Sequence, residues 1–301
     1  MSTRLLPCAL FAAMLVLCPA GLFAAPGVAG DPLAALPVTT PISASLGGIL
    51  APTTVWRSPG FEVYRWDRFP DIVVIDTVGF AEQDRLFTRL AYFAEKRGYR
   101  GRLLTNATLA GRHGWNAHDY GGPALASFYS AVEASGFALN PEEIDLRRLA
   151  LSQGIIVEHG DGYASGRGGV LGITRGSSTI ERRLLLTHES FHGIFFSSDE
   201  YRDFCFRLWD SLPRKERSFY TTFLDSLGYD GDDEYLAVNE FQAYLMQQPL
   251  DMAASYFQRF IDRFAEEGAL VSVTAKSLVA TARKLDDFLG AAFDLHAGET
   301  R

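Results

Sequence analysis

The chain has 301 residues, 48% of them hydrophobic and 21% charged, with a formal net charge of −8. That length supplies a substantial core for one large domain or two small ones. An acidic balance without a lysine or arginine run speaks against nucleic acid and anionic membrane surfaces as partners.

The chain opens with Arg4, an apolar run from about Leu5 to Leu17, and then small residues. This is the order of a secretory signal, expected over residues 1–24 with cleavage after Ala24; a site after Ala29 also fits. Pro7 and Pro19 bracket a run too short to span a bilayer comfortably. The expected product is therefore exported, periplasmic or secreted, with no stable membrane insertion after the signal is removed. Cys8 and Cys18 leave with the signal. Cys205 is then the one remaining thiol, so the mature chain has no internal disulfide. Lying among aromatics in "YRDFCFRLW", it reads as a small core residue.

Residues 25–60 are rich in Pro, Ala, Gly, Ser and Thr and read as an extended lead-in. Residues 61–154 read as an α/β lobe. "DIVVIDTV" (71–78) is a β-branched strand, a helix follows over 81–99, and "RGRLL" suggests another short strand. "GRHGWNAHDYGG" (111–122) is a glycine-rich loop carrying His113, Trp115, His118 and Tyr120. Helices are expected over 123–135 and 141–153, the second with Asn140 as N-cap and Pro141 in the first turn. From 155 a strand, a glycine-rich turn and a second strand over 170–174 lead into helices near 178–197, 199–211, 214–227, 233–248, 250–266 and 269–294. The expected fold class is α+β: a mostly helical C-terminal half (155–301) with a small sheet, preceded by the α/β lobe.

His188-Glu189-Ser190-Phe191-His192 is an HExxH sequence. A helix turns once in 3.6 residues, so His188 and His192 share one face and both imidazoles can reach one Zn²⁺. Glu189 sits about 100° around the helix, beside the metal, where it can take a proton from a zinc-bound water. The flanking "LLLT" and "GIFF" imply burial, and buried charge is costly unless paired or metal-bound. A hydrogen-bonded core reading of the same residues stays open, because short motifs recur by chance. The third ligand is expected to be Glu240 in "DDEYLAVNEFQAYLMQQP", where Ala237 and Ala243 allow close approach of another helix. Glu234 is the alternative, although acidic residues are favoured in a first helical turn in any case.

HExxH followed by a glutamate on a later helix resembles the gluzincin metallopeptidases, over about residues 155–250. The resemblance implies a zincin-like fold and an exported zinc peptidase that acts on peptides or proteins. Zn²⁺ would be held by His188, His192 and Glu240, with a zinc-bound water as nucleophile and Glu189 as general base. It implies that an edge strand just before the metal helix, Val170–Thr174, binds extended substrate. It also implies a Tyr or His that stabilises the oxyanion, for which His118 and Tyr163 are favoured over His159, Tyr120 and Tyr244. Asn239 could orient a ligand from behind. The alternatives are a metal-assisted hydrolase of another substrate class, or a non-enzymatic exported binding protein whose structural metal has a closed four-ligand shell.

Overall fold

The structure, a computed structural model, describes residues 40–51, 56–267 and 273–300. The expected signal, residues 1–24, lies outside the described residues. Within the lead-in the chain forms strand β1 (Ile42–Ala44) and helix α1 (Leu46–Leu50), capped by Ser45. Leu46 and Ile49 are buried, so this part is packed rather than loose. Strands β2 (Phe61–Trp66) and β3 (Ile72–Thr77) come next, then helices α2 (Phe80–Ala94) and α3 (Asn106–Leu109), strand β4 (His118–Gly121) and helix α4 (Gly122–Ser135). Helix α5 (Pro141–Ser152) opens with a reciprocal capping box between Asn140 and Glu143. The hairpin β5 (Ile156–His159) and β6 (Gly162–Ser165) precedes β7 (Gly169–Thr174).

The rest is helical: α6 (Thr179–Ser197), α7 (Asp199–Ser211), α8 (Arg214–Leu227), α9 (Glu234–Met246), α10 (Leu250–Glu266) and α11 (Ala275–Phe293). An α/β first part with a small mixed sheet, followed by a mostly helical region, is the α+β, zincin-like class expected from the sequence. Among the described residues no helix is long and apolar enough to cross a membrane. Cys205 is fully buried on α7, and burial pushes its thiol pKa up, as suits a core residue.

Two local expectations are corrected. "RGRLL" forms no strand. Gly98 and Gly101 both adopt positive φ, and Gly101 N donates to Phe93 O and Arg102 N to Tyr99 O, so the chain turns there instead of extending. The loop at 111–122, in contrast, ends in a strand, β4. The main sheet has the order β1-β2-β3-β7-β4, with β7 parallel to β3 and antiparallel to β4. Val170–Thr174 is therefore buried along its whole length and paired throughout with β3, and Val170–Gly172 are covered on the other side by β4. The edge beside it is β4.

The register decides which way each β4 side chain points, because directly opposed residues face the same side of a sheet. Asp119 is opposite Leu171, which packs among the helices that include α6. His118 is opposite Gly172 and Tyr120 opposite Val170, on the face covered by α2, α4 and α5. Period-2 alternation thus splits three consecutive residues between two cores.

Helix α6 lies against the first of these faces at very close range. A Cβ on Gly121 would sit 2.8 Å from the Phe196 ring, and one on Gly169 would sit 2.6 Å from it. Two strand glycines thereby let the last turn of α6 rest almost on the backbone. At its other end α6 is fixed by charge. Arg182 Nη1 lies 2.6 Å from Asp76 Oδ1 on β3, and both are buried. Arg182→Met strands the Asp76 carboxylate beside Arg175 alone, 3.4 Å away. The expected loss is about 3 kcal/mol, read as a lower denaturant midpoint with an unchanged slope.

Candidate metal centre

Helix α6 starts at Ser178, whose hydroxyl accepts from Glu181 N, and runs without a break through the HExxH residues. Helix α9 starts at Asp233, whose carboxylate accepts from Leu236 N. The two helices pack antiparallel: Tyr235 meets Phe195 (ring centroids 5.5 Å apart) and Tyr244 meets His188 (4.6 Å). Glu240 falls between these contacts. Ala237 and Ala243, three residues to either side of it, are buried and leave room for the approach.

His188, His192 and Glu240 come together as a buried group. The two Nε2 atoms are 3.0 Å apart, and Glu240 Oε2 is 3.6 Å from the first and 3.7 Å from the second. That triangle has a centre about 2 Å from every corner, which is the length of a Zn–N or Zn–O bond. Glu240 demands such a partner. Both of its oxygens are buried and make no hydrogen bond among the described residues, and Oε2 is a corner of the triangle. Native interiors rarely leave a carboxylate in that state. Glu189 Oε2, beside the triangle, is likewise buried without a hydrogen bond. Burial pushes the His188 and His192 pKa values down to about 4, so both rings are neutral, the form that ligates a metal. Burial also pushes Glu240 up to about 7. A divalent cation at the centre of the triangle reverses that preference and holds the carboxylate ionised.

Glu189 lies next to the triangle rather than at a corner of it. It forms a second buried group with Asp119 and His192, their polar atoms within 4.8 Å of one another. Burial, and then the nearby Glu240 and Glu95, push the Glu189 pKa well above the ordinary carboxylate range. Both groups use His192, and a neutral imidazole has one free lone pair, so they are alternatives as metal sites. The His188–His192–Glu240 set has the better claim. Its Glu240 has no other partner, whereas Asp119 Oδ2 already accepts from Asn239 Nδ2 at 2.9 Å and faces His192 Nδ1 at 3.4 Å. Asp119 and Asn239 stand behind His192 and fix which of its nitrogens faces the metal. Asp119→Asn should weaken zinc binding by roughly 10–100-fold, measured by competition with a chelator.

The other residues weighed from the sequence lie elsewhere. His118 is buried on the far face of the sheet, stacked on Phe87 at 4.8 Å, with Nδ1 3.0 Å from the Tyr120 hydroxyl. Tyr163 is on the β5–β6 hairpin, where its backbone bonds Ser130 and its hydroxyl faces Glu133 at 3.5 Å. His159 is exposed at the tip of that hairpin, His113 is exposed beside Asp84, and Glu234 is exposed at the start of α9. Tyr244 does reach the site, through its ring contact with His188. Asp119 is the residue that sequence reasoning missed. The signal was present in "NAHDYGG", one residue away from the histidine that drew attention.

A pocket of about 370 Å³ opens along the outer edge of β4. Asp119 and Asn239 form part of its wall, so it begins one side chain from the metal centre. Together these parts make a buried His-Glu-x-x-His pair with a downstream glutamate, consistent with a zincin-type active site and with a zinc-dependent hydrolase. No protein-family model, curated protein or solved structure matches the chain.

Proposed function

We propose that this chain is an exported, zinc-dependent peptidase of gluzincin type. The observation that carries the reading is the His188–His192–Glu240 triangle with Glu189 beside it and a pocket one residue away. When bound, zinc acidifies a water and polarises the scissile carbonyl. His188 and His192 hold it as neutral donors, and Glu240 supplies one negative charge. Glu189 accepts the proton of the attacking water on its carboxylate and then hands it to the leaving amine. Tyr244, whose ring abuts His188, is the candidate for an oxyanion role. The β4 edge, with its free side toward the pocket, is the strand on which extended substrate would lie. Export rests on the signal-like order of residues 1–24.

Zinc-loaded protein incubated with a mixed peptide library should yield new termini by mass spectrometry, sensitive to a chelator and restored by zinc. Hydrolysis of esters or non-peptide amides with no peptide cleavage would move the reading to another metal-assisted hydrolase. One equivalent of tightly held zinc is expected in either case. Its absence from protein refolded with zinc would remove the reading altogether.

A further inference from the structure

The pocket beside the metal centre has an unusual wall. Its apolar lining includes Phe93, Phe196, Tyr235 and Leu236. Its polar side groups that lack a counter-charge are acceptors. Glu95, at the end of α2, is 5% exposed, and one of its carboxylate oxygens accepts from the Trp115 indole N–H. Its other oxygen has no hydrogen bond, and no cation lies within 4.0 Å of the carboxylate among the described residues. Asp119 is 9% exposed and faces the Asn239 amide, the His192 ring and the Glu189 carboxylate. Asn239 has committed its amide N–H to Asp119, and its Oδ1 is buried without a partner.

Arg100 and Lys96 lie close enough to draw the Glu95 pKa down, but neither forms a salt bridge with it and both have other contacts. Arg100, at the rim, pairs with Asp233 at 2.8 Å and Asp230 at 3.6 Å. Lys96 lies over the face of Trp115. A buried carboxylate with no ion pair of its own is costly, and the cost falls when a positive donor arrives. Burial, with Glu240 adding to it, outweighs the Trp115 hydrogen bond and the charges of Lys96 and Arg100 and pushes Glu95 up to about 8.

We propose that this pocket is a specificity site for a protonated nitrogen group of the substrate, with Glu95 as the counter-charge and the apolar wall holding the carbon skeleton. The inference rests on the peptidase reading for the word substrate, but the pocket can be tested without turnover. A peptide offers such a group in two places, its free N-terminal ammonium or a lysine or arginine side chain. The first makes the protein an aminopeptidase, and the second makes it selective for basic residues.

Trp115 donates to Glu95, so its fluorescence should report occupancy. The experiment uses zinc-loaded full chain carrying Glu189→Gln, which removes the proposed base and prevents turnover. Four probes are titrated: leucine amide, N-acetyl-arginine amide, arginine amide and N-acetyl-leucine amide. At least one of the first two should bind roughly ten-fold or more tightly than the neutral last probe, since a charged hydrogen bond is at stake. Tighter leucine amide identifies the N-terminal ammonium; tighter N-acetyl-arginine amide identifies the side chain.

Adding Glu95→Gln, which keeps the shape and an acceptor for Trp115, should erase the preference while leaving zinc content and melting temperature close to the parent. Equal binding of charged and neutral probes, no binding of any probe, or a preference that survives Glu95→Gln overturns the proposal. Should Glu95→Gln fail to fold, the salt dependence of the parent decides: charged-probe affinity must fall with ionic strength and neutral-probe affinity must not. Peptide hydrolysis by the wild-type chain is scored separately. Failure there with intact cation binding overturns the peptidase reading and leaves the pocket standing.

Discussion

Glu189→Gln should leave zinc bound and stop the chemistry. The substitution keeps the volume and one acceptor oxygen, so α6 has no reason to move. Glu189 is outside the triangle of His188, His192 and Glu240, so the metal keeps its three donors. What disappears is the only carboxylate of the HExxH sequence, and with it the means to take a proton from water and return it to the leaving group. Loss of a positioned acid–base is worth roughly 10²–10⁴-fold in rate, and here one group serves both steps, so activity should fall to the assay floor. The measurement is turnover of the best library peptide, alongside metal content by mass spectrometry. Full activity with full zinc would show that another group carries the proton, and Asp119, in the same buried group, would be the next to test.

Glu240→Gln should do the reverse and remove the metal while sparing the fold. Its two oxygens have no other partner, so nothing in the packing around α9 depends on the charge. Removing a buried carboxylate that burial already pushes up to about 7 relieves a cost in the metal-free chain. The variant should therefore melt no lower than the wild type without zinc. Its zinc affinity should drop further than the roughly 10–100-fold expected for an outer partner such as Asp119, because a donor itself is weakened. Melting with and without zinc separates the two effects. A ligand at about a hundred times its Kd stabilises the chain that binds it by about 2.7 kcal/mol. The wild type should show such a rise and Glu240→Gln should not. A variant that still takes up one tight zinc would exclude Glu240 as a donor.

The helices were legible because their signals are local. Asn140, Ser178 and Asp233 announce helix starts by chemistry that acts within three residues, and Pro249 announces an end. His188 and His192 could be placed on one face from spacing alone. Glu240 could be singled out because small residues flank it at helical intervals. The sheet was harder to read. β4 is four residues long inside a glycine-rich segment, too short for a periodic pattern to declare itself. Without its register against β7 there is no means of knowing that Asp119 faces α6 while His118 faces away. Glu95 was hidden for another reason. In "AEKRGYR" it looks like part of a solvated helix end, and only the return of Trp115 and Tyr229, stacked on each other at 4.3 Å, encloses it. Long-range contacts decide such positions, and one sequence does not contain them in readable form.

The donors sit on helices separated by the whole of α7 and α8, and this has a kinetic consequence. An isolated α6 offers zinc two imidazoles but not the Glu240 carboxylate that completes the triangle. Tight coordination has to wait until the chain has looped back and docked α9 across α6, a step that must first meet the entropy of closing that loop. Zinc uptake in a refolding experiment is thus a stopwatch for tertiary assembly rather than for helix formation. For the exported peptidase proposed above, the same arrangement would delay assembly of the metal site until the chain has crossed the membrane and folded.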